Sequence, residues 1–483
     1  EIQTQSQSDL QKRMAEMVPI DGVLTLEEAI ARALKYNLDH RAKSLEMALA
    51  SGQLEAGKFD MMPRLLANAG YFSRDSDLVR RSQDVNGNTF DNRYISSERN
   101  HATQDLTLSW SLLDFGASYY NAKQNADRLL IATERRRKSM HTLIQNVRTT
   151  YWRALAAQTL SQRVSSAIAD AETALKDSRG MQAAKVRSPG ESLRFQRTLL
   201  DNLRQLEALQ RELTSAKVEL ASLIGAPSGT RLTLTEPTDA EPQALGISLE
   251  AMEAQALTRN ADLREASYNV RIAANDTRKA ILKLMPGVSF DYGTRRDDDR
   301  FLVDQHCHEA GMRVSLNLFN LLSAPSQKRA AEAAESVMQA RRMALQMAVF
   351  TQVHLSWHQY DDAVRQYQRA HAIADVDGQL AQIAGGQEQS QMAGRLDRIS
   401  ADVISILSVA RRYQSMARVQ EALSRVQSTL GLEPEVGSLD ELDLPTLQKT
   451  MDQSLKNWNM QMQTKPAPQA RATYGRHVKA SQA

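Results

Sequence analysis

The sequence predicts a mainly helical chain with a few β-strands, and three observations carry that prediction. From residue 115 to about 180 there is no proline, and apolar or small residues recur at alternating spacings of three and four, as in a coiled coil. A helix of about 65 residues would be roughly 100 Å long, about three times an ordinary domain diameter. Shorter segments alternate apolar and polar residues, which is typical of strands, and the whole order of features occurs twice.

The second half of the chain repeats the first half feature by feature. A helix start, a proline, an alternating strand, a long helix and a final glycine follow one another in the same order. The matched positions are Thr25 and Ser248, Asn37 and Asn260, Pro63 and Pro286, Trp110 and Leu316, Tyr151 and Trp357, Gly180 and Gly386, and Gly225 and Gly431. Chance similarity between two helices rich in Ala, Gln and Arg would not also place the proline, the strand and the glycine. The sequence therefore predicts an internal duplication.

The composition excludes several classes of protein. The 60 basic and 57 acidic residues nearly cancel, so nothing points to a nucleic-acid partner. A single cysteine excludes an internal disulfide framework. No window of about 18 apolar residues exists, so we predict no transmembrane helix. The polar stretch at the start of the sequence suits a processed mature protein as well as a cytosolic one.

We predict five segments along the chain. They are a polar N-terminal arm (1–22), a first repeat (23–225), a linker or equatorial segment (226–246), a second repeat (247–431), and a C-terminal equatorial segment with a disordered tail (432–483). The first repeat is predicted to hold strands 64–73 and 104–113 and an antiparallel helical hairpin at 115–225. The second is predicted to hold strands 287–294 and 311–319 and a helical hairpin at 324–431.

Local signals give the predicted helix ends. Thr25, with Glu28 three positions later, forms a capping box, and its helix is expected to continue to about Met61, just before Pro63. The first helical hairpin is expected to turn at about 187–190.

The remaining segments are predicted from composition and turn residues. The polar stretch 74–103, with its Asn86-Gly87 turn, is expected to be a surface loop. The second long helix is expected to begin at 323–325, where a proline stands near its start. A short strand is predicted at 231–235 and a short helix at about 446–460.

The predicted strands are amphipathic and too few to close a sheet. Their apolar side chains are Leu106, Leu108, Trp110 and Leu112 in the first repeat, and Met312, Val314, Leu316 and Leu318 in the second. Four strands cannot form a barrel, whereas two chains would give eight strands with a filled interior and three chains would give twelve around a channel. The polar faces would then line water and the apolar faces would meet lipid. The alternative is a small soluble β-sandwich on a coiled-coil stalk.

This ordered set of features resembles the TolC-like family of outer-membrane efflux proteins. The resemblance covers about 24–432. The residues that carry it are Leu26-Glu27-Glu28-Ala29, Ala33-Leu34, Asn37, Pro63, the run from Trp110 to Gly116, and their counterparts in the second half. It implies a homotrimer with a twelve-stranded barrel in the outer membrane of a Gram-negative bacterium and a helical tunnel in the periplasm. As partners it implies outer-membrane lipid, a periplasmic adaptor (membrane fusion protein) and an inner-membrane transporter of the RND or ABC type.

The resemblance also implies a constriction at the periplasmic end of the tunnel, formed by acidic residues near the start of the last return helix. Counting back from Leu430-Gly431 places the first acidic position on Asp397, while the second falls on Ser400. Further candidates for the constriction are Glu191, Glu388, Arg395 and Arg398, the two arginines being expected to bridge to neighbouring helices. The alternative for Asp397 is that it only caps its helix.

The helical tips are the expected contacts of the adaptor. In this family they often carry a Val-Gly pair, but here the corresponding positions hold Ala184-Lys185 and Gln389-Ser390, which leaves the class of adaptor open. The candidate contact residues are Lys185, Ser188, Gly190, Gln389, Ser390 and Gly394.

The predicted function is a passive trimeric export duct of a tripartite efflux or type I secretion system, with the exported substrate left open. The alternative is a soluble coiled-coil scaffold that binds other proteins. No catalytic motif stands out, so we predict no enzyme activity and no cofactor. His306-Cys307-His308 could place two imidazoles on one strand face, but exposed polar residues are ordinary in an outer loop, and no metal site is predicted.

Overall fold

The computed structural model describes residues 5, 8–9, 11–12, 15–20, 22–184, 188–227, 229–237, 241–390, 394–432 and 442–463. The helices in these residues are α1 (Leu26–Tyr36), α2 (Leu38–Phe59), α3 (Leu112–Ala183), α4 (Pro189–Leu223), α5 (Leu249–Arg259), α6 (Ala261–Leu282), α7 (Leu318–Gln389), α8 (Arg395–Leu430) and α9 (Leu444–Gln463). The strands are β1 (Val23–Leu24), β2 (Arg64–Ser73), β3 (Val79–Gln83), β4 (Thr89–Ile95), β5 (Asn100–Ser111), β6 (Thr233–Leu234), β7 (Gly287–Asp297) and β8 (His306–Ser315).

The chain divides into two compact units, and each unit takes segments from both repeats. The first unit comprises Glu1–Leu45, Glu134–Arg264 and Leu345–Ala483. The second unit comprises Glu46–Thr133 and Glu265–Ala344. The long helices α3 and α7 contribute residues to both units, so the compact units cut across the two sequence repeats.

The matched asparagines Asn37 and Asn260 each separate two helices, α1 from α2 and α5 from α6. The prediction that the first helix continues to about Met61 is wrong, because α1 ends before Asn37 and α2 begins after it. The side-chain oxygen of Asn37 accepts a hydrogen bond from the backbone N–H of His40, and that of Asn260 accepts one from the N–H of Leu263, both at 3.1 Å. Each asparagine therefore caps the start of the next helix, in both repeats alike.

The core of the first unit is formed by the long helices. The residues of α3 that recur at coiled-coil spacing in this unit are all buried; they are Met140, Leu143, Val147, Tyr151 and Ala154. Leucines along α4 recur every three or four residues and are buried as well; they are Leu199, Leu203, Leu206, Leu209, Leu213 and Leu220. The coiled-coil spacing therefore marks the residues that pack between helices.

Glycine ends two of these helices. Gly225 and Gly431 have φ angles of 78° and 64°, in the left-handed region. A Cβ on Gly431 would lie 2.2 Å from the carbonyl oxygen of Arg259, so the position excludes any side chain. These are the two glycines that align in the repeat.

Tyr151 joins α3 to the small parallel sheet of β1 and β6. Its hydroxyl donates to the carbonyl oxygens of Leu24, at 2.9 Å, and Thr235, at 2.7 Å. The side-chain amide of Gln158 adds two bonds to the backbone of Leu234, donating to its oxygen at 2.9 Å and accepting from its N–H at 2.7 Å. The predicted strand at 231–235 is thus present, and polar side chains of the long helix hold it.

Tyr151→Phe is expected to lower the free energy of unfolding by about 1–3 kcal/mol, because the buried hydroxyl that hydrogen-bonds to the backbone of Leu24 and Thr235 is lost. Denaturant titration would measure the change. Tyr119→Phe is the control, since Tyr119 is 42% exposed on the same helix and should change stability little. Equal effects of the two substitutions would contradict this role for the Tyr151 hydroxyl.

His141 is a buried imidazole on α3, and its Nε2 atom has no hydrogen-bond partner among the residues that the structure describes. Burial and the nearby charges of Arg137 and Arg148 lower its pKa from 6.5 to about 4. The unfolded chain therefore binds a proton between these two pH values while the folded chain does not.

We expect the stability of the chain to fall as pH drops from 6.5 towards about 4, and this group to add no pH dependence above or below that window. The full effect is about 3 kcal/mol. His141→Gln should flatten the acid side of the stability profile measured by denaturant titration. His358→Gln, at an exposed histidine, should leave the profile unchanged, and an unaltered profile in His141→Gln would contradict the assignment.

The second unit contains an antiparallel sheet of four strands in the order β2-β5-β7-β8. Each repeat supplies one hairpin, and the central pairing is between β5 and β7. Within the described residues, β2 and β8 each have only one neighbouring strand, so both outer edges of the sheet are open.

The segment 74–103 is not only a loop, as we had predicted. It contains the hairpin of β3 and β4 and the start of β5. Asp84 shapes the predicted Asn86-Gly87 turn, since its side chain accepts from the N–H groups of Asn86 and Asn88 at 2.9 and 2.8 Å. The described side chains of β3 and β4 are exposed. Because neither strand buries a face, neither needs the alternation of apolar and polar residues by which a strand can be recognised in the sequence.

Three residues assigned to the strands lie outside them. Leu112 is the first residue of α3, Leu318 is the first residue of α7, and Leu316 lies between β8 and α7. The side-chain oxygens of Ser111 and Asn317 accept from the N–H groups of Asp114 and Phe319, at 3.2 and 3.1 Å, and so cap the two helices. The alternation of apolar and polar residues continues by chance beyond the end of each strand. The second long helix begins at Leu318, before the predicted start at 323–325, and Pro325 lies inside it.

Candidate functional site

Asp397 stands in the first turn of α8. Its carboxylate accepts a weak hydrogen bond of 3.4 Å from the backbone N–H of Gly394, and its own N–H donates to the carbonyl of Gly394 at 3.0 Å. The side chain is exposed. Asp397 therefore does cap its helix, and the cap leaves the carboxylate accessible to solvent.

Arg398 is the centre of a charged cluster that joins three helices. Its guanidinium lies 3.0 Å from Asp170 on α3, 2.6 Å from Glu388 on α7 and 3.1 Å from Asp402 on α8. We call these four residues the Arg398 cluster. The side chain of Arg398 is only 21% exposed. Burial lowers the pKa of Arg398, but the hydrogen bond to Asp170 and the charges of all three carboxylates outweigh it, and the pKa is raised.

The Arg398 cluster contains one guanidinium and three carboxylates, so the formal charge of the cluster is negative. Removing Arg398 would leave those carboxylates to repel one another. The ion pairs of Arg398 run to both α3 and α7 within one chain.

Arg395 makes a second and weaker bridge. Its guanidinium lies 3.0 Å from Asp177 on α3, and the two side chains are 42% and 54% exposed. An ion pair with this exposure is strongly screened by water and contributes little. Arg395 and Arg398 together connect the start of α8 to the last turns of α3.

The other predicted tip residues are exposed around the two helical turns. Ser188 caps α4 by accepting from the N–H of Glu191 at 3.3 Å, which leaves the Glu191 carboxylate exposed. Gly190 has no atom within 4 Å of the position its Cβ would take. Gln389 ends α7, and the hydroxyl of Ser390 donates back to the carbonyl of Gly386 at 3.0 Å. Lys185 lies outside the described residues.

Sequence reasoning named Glu388 but missed the other acidic partners of these arginines, Asp170, Asp177 and Asp402. Asp402 could have been found, because it stands four residues after Arg398 on the same helix face. Asp170 and Asp177 could not, since their positions depend on how two distant helices align.

The open sheet has one apolar and one polar face. The predicted lipid-facing side chains that lie in strands are exposed: Leu106 43%, Leu108 41%, Trp110 37%, Met312 68% and Val314 61%. Phe290 and Tyr292 on β7 share that face, because they pair with Trp110 and Leu108. On the opposite face the Ser109 hydroxyl donates to Asp291 at 2.6 Å, and the Asn68 amide donates to Asp105 at 2.7 Å. The alternation predicted from sequence separates these two faces in the structure.

His306 and His308 lie on the apolar face of β8, and Cys307 lies on the polar face. Among the described residues, no group of three His, Cys, Asp or Glu side chains could hold a metal ion. In the same part of the chain, no helix has the length and apolar character needed to cross a membrane.

Residues 29–226 match the family model described as outer membrane efflux protein. No curated protein matches the chain.

Several solved structures share the fold across most of the chain. The outer-membrane channel OprN is 17% identical with a TM-score of 0.65, and the match covers 84% of this chain and 89% of that one. The CmeC outer membrane channel of Campylobacter jejuni is 12% identical with a TM-score of 0.64, covering 89% of each chain. The MtrE outer membrane channel of Neisseria gonorrhoeae, in its open state, is 16% identical with a TM-score of 0.61, covering 84% and 88%. The predicted fold class is therefore confirmed.

Proposed function

We propose that this chain, an outer-membrane efflux protein of the TolC-like family with a large periplasmic part, is one of three identical subunits of a passive export duct. The duct would join the periplasm to the exterior through a barrel made by all three chains. It would be opened and energised by other proteins, and it would carry out no chemistry of its own.

The open four-stranded sheet is the observation that carries this proposal. Its edge strands β2 and β8 have 10 residues each, and they run in opposite directions because every neighbouring pair in the order β2-β5-β7-β8 is antiparallel. The β8 strand of one copy can therefore pair antiparallel with the β2 strand of the next. Closing the barrel gives hydrogen-bond partners to the unpaired backbone groups of both edge strands. Open edges favour aggregation in water, and in lipid their backbone groups would have no partners.

The two faces of the sheet give the closed barrel its direction. The apolar face of Leu106, Leu108, Trp110, Met312 and Val314 would meet lipid. The polar face would line a water-filled channel, as in other outer-membrane barrels. A twelve-stranded barrel is wide enough for such a channel, whereas side chains fill an eight-stranded one.

The periplasmic gate is proposed at the start of α8. Three copies of Asp397 would form an acidic ring around the three-fold axis, with Glu191 and Glu388 as further carboxylates. The Arg398 cluster and the Arg395–Asp177 pair would hold α8 against α3 and α7 in the resting state. Exposure of the Asp397 carboxylate supports this proposal, because a capping side chain can still face a pore.

Asp397→Ala is expected to weaken block by multivalent cations on the order of tenfold, because the ring loses its three charges. Conductance in planar bilayers with and without a trivalent cation would measure it. Asp201→Ala, at an exposed carboxylate on α4, is the control. Trimers that assemble normally but keep the cation block of the unaltered protein would leave Asp397 as a helix cap only.

We further propose that the exposed tips contact a periplasmic adaptor, and through it an inner-membrane transporter of the RND or ABC type. The candidates are Lys185, Ser188, Gly190, Gln389, Ser390 and Gly394. A photo-crosslinking residue at Gln389 should capture the adaptor in cells. The same residue at Val218, exposed near the other end of α4, should not.

Membrane fractionation tests the proposed function as a whole. The protein should sediment with the outer membrane, require detergent for extraction, and then have three times the mass of one chain in the protein part of the particle. A monodisperse single chain in buffer without detergent would instead favour the soluble coiled-coil scaffold.

A further inference from the structure

A row of basic and polar side chains stands at the loop end of the apolar sheet face. Arg296 on β7 lies directly opposite Gln104 on β5 and His306 on β8. Two residues further along β8, His308 lies opposite Thr294. Since residues two apart in a strand share a face, Arg296, His306 and His308 continue the rows that contain Tyr292 and Met312.

These side chains begin where the apolar face ends. Thr294 pairs with Leu106, the last leucine of β5 in the direction of the loops, and Arg296 comes one step beyond it. At their other ends the strands connect to helices, which the proposed duct places in the periplasm. The row around Arg296 therefore lies at the outer boundary of the lipid-facing surface.

Arg296 has no carboxylate partner among the described residues. Arg295, its neighbour on the polar face, lies 3.8 Å from Asp297. Arg296, His306, His308 and Gln104 are all exposed. Neighbouring strands bring directly opposed side chains within about 5 Å at Cβ, so these groups can contact one ligand. They offer hydrogen-bond donors and a fixed positive charge, which is the chemistry that recognises a phosphate group.

We infer that Arg296, His306, His308 and Gln104 bind the headgroup phosphate of a lipid in the outer leaflet. The inference rests on the proposed barrel, because only closure of the sheet turns this face towards lipid. Each trimer would hold three such sites. Lipid phosphates lie at the membrane boundary, so the ligand and the row of donors occupy the same depth.

A metal site fits this row less well. His306 and His308 share a strand face, but the side chain next to His306 is the guanidinium of Arg296, which repels a cation. The same guanidinium attracts an anion, so the phosphate ligand accounts for all four side chains.

The test uses purified full-length trimers in detergent, titrated with a fluorescent diphosphoryl lipid A as the probe. Arg296→Gln should weaken binding about tenfold, the effect of losing one hydrogen bond to a charged group. His306→Gln combined with His308→Gln should weaken it by a smaller factor. Excess inorganic phosphate should displace the lipid poorly, because the acyl chains of the probe also contact the apolar face.

Arg295→Gln is the matched control, since it removes the same charge from the next residue on the opposite face. It should leave binding of the lipid unchanged. Trimers of Arg296→Gln that bind the probe like the unaltered protein would overturn the site, and so would efficient displacement by inorganic phosphate. Failure to obtain trimers from the unaltered chain would count against the barrel itself, which separates the two failures.

Discussion

Leu108→Arg is expected to prevent stable assembly in the outer membrane. Leu108 lies between Leu106 and Trp110 on the face of β5 that we assign to lipid, and it is 41% exposed in the single chain. A charged side chain near the midplane of a barrel costs about 2–4 kcal/mol in each subunit, so three copies would carry three times that cost. The yield of detergent-extracted trimer from outer membranes would measure the effect. Met312→Arg, on the same face of β8, should behave in the same way.

Ser109→Arg is the matched control, one residue further along the same strand. Ser109 is on the polar face, and its hydroxyl donates to the carboxylate of Asp291 at 2.6 Å. An arginine there would point into the channel and have a carboxylate beside it, so trimers should form in normal yield. If Ser109→Arg failed to assemble in the membrane while Leu108→Arg assembled, the assignment of the two sheet faces to lipid and to the channel would have to be reversed.

Arg398→Ala is expected to open the periplasmic end of the duct. The substitution leaves Asp170, Glu388 and Asp402 without their shared partner, and each carboxylate belongs to a different helix. These carboxylates are partly exposed, so the loss after solvent screening is about 1 kcal/mol per subunit. Three subunits opening together would shift the equilibrium by about 3 kcal/mol, or about 100-fold towards the open state. Single-channel recording would show longer open times and higher mean conductance.

Arg395→Ala provides the graded comparison for this prediction. Its one ion pair, with Asp177, is more exposed than the Arg398 cluster, so its effect on opening should be smaller. Asp170→Asn should also favour opening, because it removes the bridge from the other side. Equal conductance in all three variants and in the unaltered protein would mean that these bridges only stabilise the helices.

Much of the fold could be predicted because its determinants are local. The spacing of Met140, Val147 and Tyr151 marks a buried helix face wherever that helix lies, and these residues are buried. The alternation around Leu106 and Leu108 marks a two-faced strand in the same way. Helix ends were predictable where a glycine adopts the left-handed backbone conformation or a serine caps the first turn, as at Gly431 and Ser188.

The wrong predictions of strand ends and of the loop at 74–103 concern features that the local sequence pattern does not reveal. Leu112 and Leu318 continue the alternation of the preceding strands, and only the caps at Ser111 and Asn317 show where each strand ends. The β3–β4 hairpin has no apolar stripe to reveal it.

Asp170, one of the partners of Arg398, could not be predicted for a different reason. Asp170 lies 228 residues away in the chain, and its place depends on how α3 and α8 align. Candidate residues could be named from the sequence, but the contacts that give them a role could not.

Pairing of β8 with the β2 strand of another copy is the central claim, and the natural cysteine offers a direct test. Cys307 lies on the polar face of β8, in the row that runs through Arg295 and Asp105 to Asn68 of β2. A cysteine introduced on the same face of β2, at Leu66, Asn68 or Phe72 in turn, should meet Cys307 of the neighbouring subunit at one of these positions.

The measurement is denaturing electrophoresis of outer membranes after mild oxidation. The account predicts covalent products of two and three chains at one such position, and no larger product, because the barrel closes at three subunits. Cysteines on the apolar face of β2, at Ala67 or Ala69, should give none, and Cys307→Ser should abolish the products. No cross-link at any of the three positions, or a ladder that continues beyond three chains, would contradict the trimeric barrel.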